Sequence, residues 1–181
     1  MECEGRKQNL AQEEHRKEFD KEVRVNDIKI CHLNINGWTN SNKVLRKQII
    51  EYSEADIFCV NETHLIPKAN LEGELEDYQW IGHNRSHCHV NAKRCHGGVG
   101  MFVKKDIIQN FHTSIVDKDY DGIIAVRFVN KKSEYTFIVI SCYLPPEYSK
   151  WGRDSTTFFN HLLMVLYRYD SDMTILAGDL N

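Results

Sequence analysis

Three hydrophobic runs in this sequence each end in polar residues that could share one chemical task. The run over residues 173–177 leads into Gly178-Asp179-Leu180-Asn181, where an acid and an amide stand two residues apart. Side chains two apart on an extended segment point to the same side, so this pair can hold and activate one water molecule. Two earlier runs lead into Asn34-Ile35-Asn36-Gly37 and Asn61-Glu62-Thr63. Together the three ends predict one site for a hard cation at the rim of a sheet.

Each of these polar residues also has an ordinary structural explanation. Glu62 can be an exposed side chain just past a strand, and Asn34 and Asn36 can form the turn before Gly37. Asp179 can cap a following helix. A carboxylate at the end of a buried strand is nevertheless costly unless it is paired or binds a metal ion. The ordered set therefore favours a functional interpretation over separate structural ones.

The composition indicates one globular domain. The chain has 181 residues, of which 41% are hydrophobic and 10% aromatic, and this is enough to bury a sizeable core. No apolar run approaches the roughly 20 residues that span a bilayer. The charged segment 1–26 lacks the apolar stretch of a signal peptide. We therefore expect an intracellular protein of the nucleus or cytoplasm, with no membrane partner and with reduced cysteines.

The net charge leaves the partner open. At −3 it differs from the charge of a dedicated DNA-binding module, whose phosphate contacts need a basic face. A nuclease can still be mildly acidic, because its metal-binding carboxylates contribute negative charge that the cation neutralises.

The order of predicted elements indicates an α+β fold. From residue 27 the pattern predicts a strand, then a helix, then a second strand, within a domain of residues 27–181. A charged arm over 1–26, helical or disordered, lies outside this domain. The first helix is predicted from about residue 42 to Ser53, with an inner face of Val44, Leu45, Ile49 and Tyr52. Strands are predicted near Tyr78 and over 98–104, 111–116, 123–129 and 135–144. A second helix over 154–169 carries an apolar stripe of Phe158, Leu162, Val165, Leu166 and Tyr169. This order is typical of a layered sandwich of mainly antiparallel sheets flanked by helices.

The motifs, taken in order, resemble the endonuclease/exonuclease/phosphatase superfamily. This superfamily includes apurinic endonucleases, DNase I, inositol polyphosphate phosphatases and neutral sphingomyelinases. Within it, the sequence is most similar to the endonuclease domain of non-LTR retrotransposon proteins. The resemblance runs from about Ile28 to Asn181. It is carried by Leu33-Asn34-Ile35-Asn36-Gly37, Asn61-Glu62-Thr63-His64, Gly97-Gly98-Val99-Gly100 and Gly178-Asp179-Leu180-Asn181.

The resemblance implies metal-dependent phosphodiester hydrolysis, with DNA as the substrate. Glu62 is expected to be the principal ligand of Mg²⁺, with Mn²⁺ as the alternative ion. Asn36 stands where some relatives carry Asp, so its amide oxygen is expected to be a weaker metal ligand. Asn34 is expected to hydrogen-bond a phosphate oxygen or to orient Glu62.

The resemblance also implies three residues that act on the scissile phosphate. Tyr143 is expected to place its phenol beside that phosphate. Asp179 is expected to polarise the attacking water, and Asn181 to bind the phosphate oxyanion. The cation and the amide donors would then stabilise the charge that develops on the phosphoryl oxygens.

The polar loop over residues 83–96 has two interpretations. In the family this region lies near the DNA-facing rim, so Arg85, Lys93 and Arg94 are expected to contact phosphates, although a solvated loop explains them equally well. The loop also holds several His and Cys residues, which are good zinc ligands. Their spacing differs from that of known structural zinc sites, so a polar surface loop is favoured.

The resemblance further implies a domain that is incomplete at its C-terminus. Relatives finish with more strands, a loop Asp and a Ser-Asp-His segment that has no counterpart here. The expected protein is therefore a DNA endonuclease domain, inactive as this fragment, with fusion to a reverse transcriptase in the full-length protein. Two alternatives remain: a phosphodiesterase or phosphatase acting on inositol or lipid phosphates, and a non-catalytic fragment that acts as a binding module.

Overall fold

The computed structural model describes residues 28–89, 91–147, 149 and 155–181. The arm over 1–26 and the helix cap at position 154 lie outside these residues. The described residues form eight strands and three helices. In chain order they are β1 (Ile30–Asn34), α1 (Lys43–Ser53), β2 (Ile57–Asn61), β3 (Tyr78–His83), β4 (Val99–Lys104), α2 (Lys105–Asn110), β5 (Phe111–Asp117), β6 (Ile123–Asn130), β7 (Thr136–Leu144), α3 (Ser155–Arg168) and β8 (Met173–Leu180).

The strands form two four-stranded sheets. The first has the order β1-β2-β4-β3 and the second the order β5-β6-β7-β8. Only β1 with β2, and β7 with β8, run parallel, and every other pair is antiparallel. Each parallel pair is joined through a helix, α1 or α3, as a parallel connection requires. The predicted sandwich of mainly antiparallel sheets flanked by helices is confirmed.

Three apolar layers hold the sandwich together. The two sheets face each other across a central core to which β2, β4, β6 and β7 contribute alternate side chains, such as Ile57 and Cys59. Phe58 and Val60, the residues between them, point outward into a second layer with Ile50 of α1. Phe158, Leu162 and Val165 of α3 cover the outer face of the second sheet. Because β2 and β7 are covered on both faces, they read as continuous apolar runs.

The structure corrects two helix predictions. The predicted inner face of α1 is wrong: Val44, Leu45, Ile49 and Tyr52 are 40–93% exposed, and Ile50 is the residue that the helix buries. Ile50 is selected because it meets Phe58 and Val60 in the outer layer, and this contact depends on how the helix is rotated over the sheet. The short helix α2 was not predicted, because its six residues are too few for a helical period to show. The stripe on α3 is confirmed at Phe158, Leu162 and Val165.

No helix among the described residues is long and apolar enough to cross a membrane.

A candidate active site at the ends of four strands

The C-terminal ends of four strands meet at one edge of the sandwich. In the first sheet the parallel register places Asn34, at the end of β1, beside Asn61, at the end of β2. In the second sheet Tyr143 of β7 pairs with Asp179 of β8. Strands β1 and β8 are in contact across the two sheets. The polar residues that follow the apolar runs are therefore brought to one place, as predicted.

Asn34 joins the two carboxylates of the site. Its side-chain Nδ2 donates to Glu62 Oε1 at 3.1 Å and to Asp179 Oδ2 at 2.9 Å. Its Oδ1 accepts from the backbone N–H of Asn36 at 3.1 Å. Because one amide supplies a donor to each acid, Glu62 and Asp179 are held at a fixed separation without an intervening positive charge.

Tyr143 also hydrogen-bonds to Glu62. Burial raises the pKa of Tyr143, and the hydrogen bond to Glu62 and the charges of Glu62 and Asp179 raise it further. The phenol is therefore neutral at physiological pH and donates to the carboxylate. Burial opposes ionisation of Glu62, but hydrogen bonds from Tyr143 and Asn34 and the nearby His64 outweigh it and hold the Glu62 pKa below its usual value. The site thus contains an ionised Glu62 beside a protonated phenol.

His64 is a further neighbour of Glu62. Its Nε2 lies 3.2 Å from Glu62 Oε2, and both side chains are largely buried, with 10% and 20% of their surface exposed. Burial lowers the His64 pKa despite the opposing effect of Glu62. His64 ends the Asn61-Glu62-Thr63-His64 motif, and no role was predicted for it. Strand alternation could not have placed it there, because Glu62 and His64 lie beyond the end of β2 and both have left-handed φ values, 54° and 57°.

The backbone after β2 is fixed by the loops around it. The N–H groups of Gly37 and Trp38 donate to the carbonyls of Glu62 and Thr63, at 2.6 and 2.9 Å. Glu62 itself has φ of 54°, in the left-handed region that a residue with a side chain seldom adopts. Such conformations persist only where the surroundings impose them, and they concentrate at functional sites.

Gly98 permits the chain before β4 to lie close against Thr63. Its carbonyl accepts from the N–H of Thr63 at 3.2 Å. Its φ is +86°, and a Cβ at this position would overlap the Thr63 hydroxyl. A glycine is therefore required here on two grounds, backbone conformation and space. This explains why the Gly97-Gly98-Val99-Gly100 motif accompanies the Glu62 motif.

The two remaining asparagines lie at the border of the site. Asn36 is exposed and has φ of 45°. Asn181 is also exposed, and its Nδ2 donates to the carbonyl of Leu144 at 3.2 Å, which places it next to Tyr143 along β7. Both amides are therefore near the carboxylates and accessible from solvent.

The predicted phosphate-binding residues differ in their position. Arg85 lines a narrow cavity together with Glu62, His64 and Tyr143. Its positive charge also acts on the Tyr143 phenol, whose pKa it lowers against the stronger raising effects of burial and Glu62. Lys93 and Arg94 are exposed and do not line this cavity. The structure thus brings Arg85 to the candidate site and leaves the other two on the outer part of the loop.

The loop that carries these residues is closed by a disulfide between Cys88 and Cys95. The expectation of reduced thiols is therefore wrong for this pair, because the loop brings two cysteines seven residues apart into contact. Cys31, Cys59 and Cys142 are free. The N–H of Cys95 donates to the carbonyl of His64 at 3.1 Å, so the loop is tied to the segment that follows β2.

The oxygen donors of the site suit a hard divalent cation. Mg²⁺ in proteins is commonly held by one or two carboxylates, with water and substrate phosphate completing its shell. Glu62 and Asp179 provide two carboxylates, and Asn36 provides an exposed amide oxygen nearby. Within the described residues, no group of three or more His, Cys, Asp or Glu side chains is arranged to hold a metal ion. The donors therefore fit an open magnesium-type site better than a structural zinc site.

The sequence matches the Endonuclease/Exonuclease/phosphatase family over residues 31–181. The chain therefore belongs to this family, whose members are hydrolytic and generally depend on divalent metals. No curated protein matches the chain significantly.

Solved structures share the fold. The chain is similar to the mannosyl-6-phosphatase of Bacteroides thetaiotaomicron, with 18% identity, a TM-score of 0.54 and coverage of 86% of this chain and 66% of that one. It is similar to the AP endonuclease of Leishmania major, with 15% identity, a TM-score of 0.60 and coverage of 83% and 54%. It is also similar to a 3′ phosphatase from Neisseria bound to product DNA, with 15% identity, a TM-score of 0.57 and coverage of 84% and 57%. The chain thus spans 54–66% of the length of these structures.

Proposed function

We propose that the protein hydrolyses phosphodiester bonds with the help of a divalent cation, and that its substrate is DNA. One observation carries this proposal: Asn34 links Glu62 and Asp179, and Tyr143 also hydrogen-bonds to Glu62. Two carboxylates, an amide and a phenol in contact are the groups needed to hold a cation, a water molecule and a phosphate together.

Each group has one task in the proposed reaction. Glu62, ionised at neutral pH, and the nearby Asn36 would hold the cation, Mg²⁺ or Mn²⁺. When bound, the cation would neutralise negative charge on the phosphate oxygens. Asp179 would orient the attacking water and accept its proton. The amide of Asn181 would donate to a phosphate oxygen as charge develops there.

Tyr143 and Arg85 would receive the phosphate from the side of the loop. The phenol of Tyr143 stays protonated because burial and Glu62 raise its pKa, so it remains a hydrogen-bond donor. Arg85 lines the same cavity and offers a planar, permanently charged donor that suits phosphate. Lys93 and Arg94, exposed on the disulfide-closed loop, would contact the DNA backbone farther from the reacting bond.

DNA is preferred over a small phosphate ester because of the loop and the motifs. Three basic residues lie on one loop next to the site, and an extended polyanion would contact all of them. The Leu33-Asn34-Ile35-Asn36-Gly37 and Gly97-Gly98-Val99-Gly100 motifs also resemble those of retrotransposon endonucleases. We therefore extend the proposal to a retrotransposon-type endonuclease, fused to a reverse transcriptase in the full-length protein.

One experiment tests the hydrolytic activity, the DNA substrate and the retrotransposon assignment separately. The transcript is sequenced past the codon for Asn181, and its complete reading frame is expressed beside residues 1–181. Both proteins are incubated with supercoiled plasmid or with an inositol polyphosphate, in Mg²⁺, Mn²⁺ or EDTA. We expect the complete protein to nick plasmid with metal and residues 1–181 to be inactive. A reverse transcriptase in the reading frame would support the retrotransposon assignment.

Two matched variants test the site itself. Glu62→Gln keeps the size of the side chain and removes its charge, and we expect it to abolish nicking. Glu74→Gln makes the same change at a carboxylate that pairs with Lys47 on the surface, and we expect no loss. Nicking by Glu62→Gln at the wild-type rate would refute the assignment. Hydrolysis of the inositol phosphate alone would replace DNA by a small phosphate ester, and no hydrolysis by either protein would favour a binding module.

A further inference from the structure

A buried amide lies directly beneath the candidate site. Asn61, the last residue of β2, has no exposed surface. Its side chain crosses from the first sheet to the second, where Nδ2 donates to the carbonyl of Cys142 at 2.7 Å. Its Oδ1 accepts from the hydroxyl of Ser141 at 3.3 Å. Both partners belong to β7, so one side chain spans the interface between the two sheets.

Every partner of Asn61 is close in sequence to a residue of the site. Asn61 precedes Glu62, and Cys142 precedes Tyr143. The ring of His32 also contacts the Asn61 side chain, and it lies two residues before Asn34 on β1. The half-buried His32 and the buried Asn61, Ser141 and Cys142 therefore connect three of the four strands whose ends build the site.

The interface around this cluster is apolar. The sheets meet mainly through side chains such as Val99, Val126 and Val139. Apolar contacts are non-directional and permit small shifts of one sheet against the other. A hydrogen bond fixes both a distance and an angle, and a buried donor left without a partner is costly. The Asn61 bond is thus a directional contact that sets how β2 and β7 align at their ends.

We propose that Asn61 is a positioning residue that aligns Glu62 of the first sheet with Tyr143 of the second. Its bond to Cys142 fixes the backbone one residue before the phenol, and its own backbone fixes the residue before the carboxylate. The structural part of this inference is independent of activity. Its consequence for catalysis rests on the function proposed above.

The test follows the environment of Tyr143 directly. Incorporation of 3-fluorotyrosine labels all eight tyrosines, and the ¹⁹F resonance that disappears in Tyr143→Phe identifies Tyr143. Asn61→Leu removes both hydrogen bonds at similar volume. Thr63→Val is the matched control, because Thr63 is equally buried, stands on the other side of Glu62 and has a hydroxyl without a hydrogen-bond partner among the described residues.

We expect Asn61→Leu to shift or split the Tyr143 resonance and to leave those of the other tyrosines in place. We expect Thr63→Val to change none of them. In the active protein, Asn61→Leu should lower kcat by about 10- to 100-fold with little change in KM, because a misplacement of about 1 Å can cost 10²-fold in rate. Ser141→Ala, which removes one of the two bonds, should give a smaller change in the same direction.

The possible results test the positioning role of Asn61 and its consequence for catalysis separately. An unchanged Tyr143 resonance in both Asn61→Leu and Ser141→Ala would overturn the proposal. If Asn61→Leu does not fold, an unchanged resonance in Ser141→Ala alone would overturn it. A shifted resonance with wild-type kcat would overturn the catalytic consequence. Because the ¹⁹F measurement needs no turnover, a shifted resonance in a protein that hydrolyses nothing would support the positioning role and refute only the proposed function.

Discussion

Replacing Asn34 by Asp should turn the centre of the site from a stabilising contact into a repulsive one. The substitution keeps the size of the side chain. It removes the two N–H donors that Nδ2 presents to Glu62 at 3.1 Å and to Asp179 at 2.9 Å. It also places a third carboxylate between the existing two. The effect on stability therefore has two contributions of the same sign.

The magnitude follows from these two contacts. A hydrogen bond to a charged group contributes about 1.5–3 kcal/mol. The Glu62 side chain is 20% exposed, so water screens part of this and the two bonds together are worth about 3 kcal/mol. The added charge is partly relieved by proton uptake, which limits the repulsion. We expect a loss of about 3 kcal/mol in the free energy of unfolding at pH 7 without metal.

The pH dependence gives the sign of the effect. In the wild type the pKa of Glu62 is held below its usual value, so its stabilisation is present above the unfolded pKa of about 4.3 and is lost as pH falls. In Asn34→Asp the Glu62 carboxylate loses a donor and faces a new negative charge, which raises its folded pKa. Stability of the variant is then lost as pH rises through that pKa. The difference between the two proteins should grow from about pH 4 to pH 7.

Urea denaturation in EDTA, followed by circular dichroism between pH 4 and pH 8, measures this difference. Asn160→Asp adds the same charge at an exposed side chain of α3, away from the site, and should change stability by less than about 0.5 kcal/mol. Saturating Mg²⁺ should reduce the loss in Asn34→Asp, because a bound cation neutralises the cluster. A variant as stable as the wild type at pH 7 in EDTA, or a difference that shrinks as pH rises, would refute the reasoning.

Two further predictions concern single groups. Tyr143→Phe removes the phenol that donates to Glu62, so the Glu62 pKa, measured by NMR titration, should rise. An unchanged Glu62 pKa would contradict the hydrogen bond. In the active protein, the same substitution should lower kcat about tenfold. Burial raises the pKa values of Cys59 and Cys142 to about 12, so iodoacetamide at pH 8 should leave both unmodified in the folded protein and modify both in urea. Mass spectrometry measures the modification of each thiol. Rapid labelling of either thiol in the folded state would show that the strand carrying it, β2 for Cys59 or β7 for Cys142, is not buried.

The sequence by itself determined the order of the elements and the composition of the site. Each apolar run ends in a polar motif, and this local pattern survives folding because a strand surfaces where its apolar residues stop. Asn34, Glu62 and Asp179 could therefore be named before their distances were known. The apolar stripe of α3 was equally readable, because residues three and four apart share one face of a helix whatever it packs against.

Tertiary structure alone decided which faces and which distant pairs were used. The rotation of α1 over the first sheet buries Ile50 and exposes Tyr52, since the helix has apolar residues on more than one side and only the shape of the sheet selects between them. The bond between Asn61 and Cys142 joins residues 81 positions apart in two different sheets, and no local period encodes it. The chemistry of the site was local in the chain, whereas its alignment depends on long-range contacts that form only when the sheets pack.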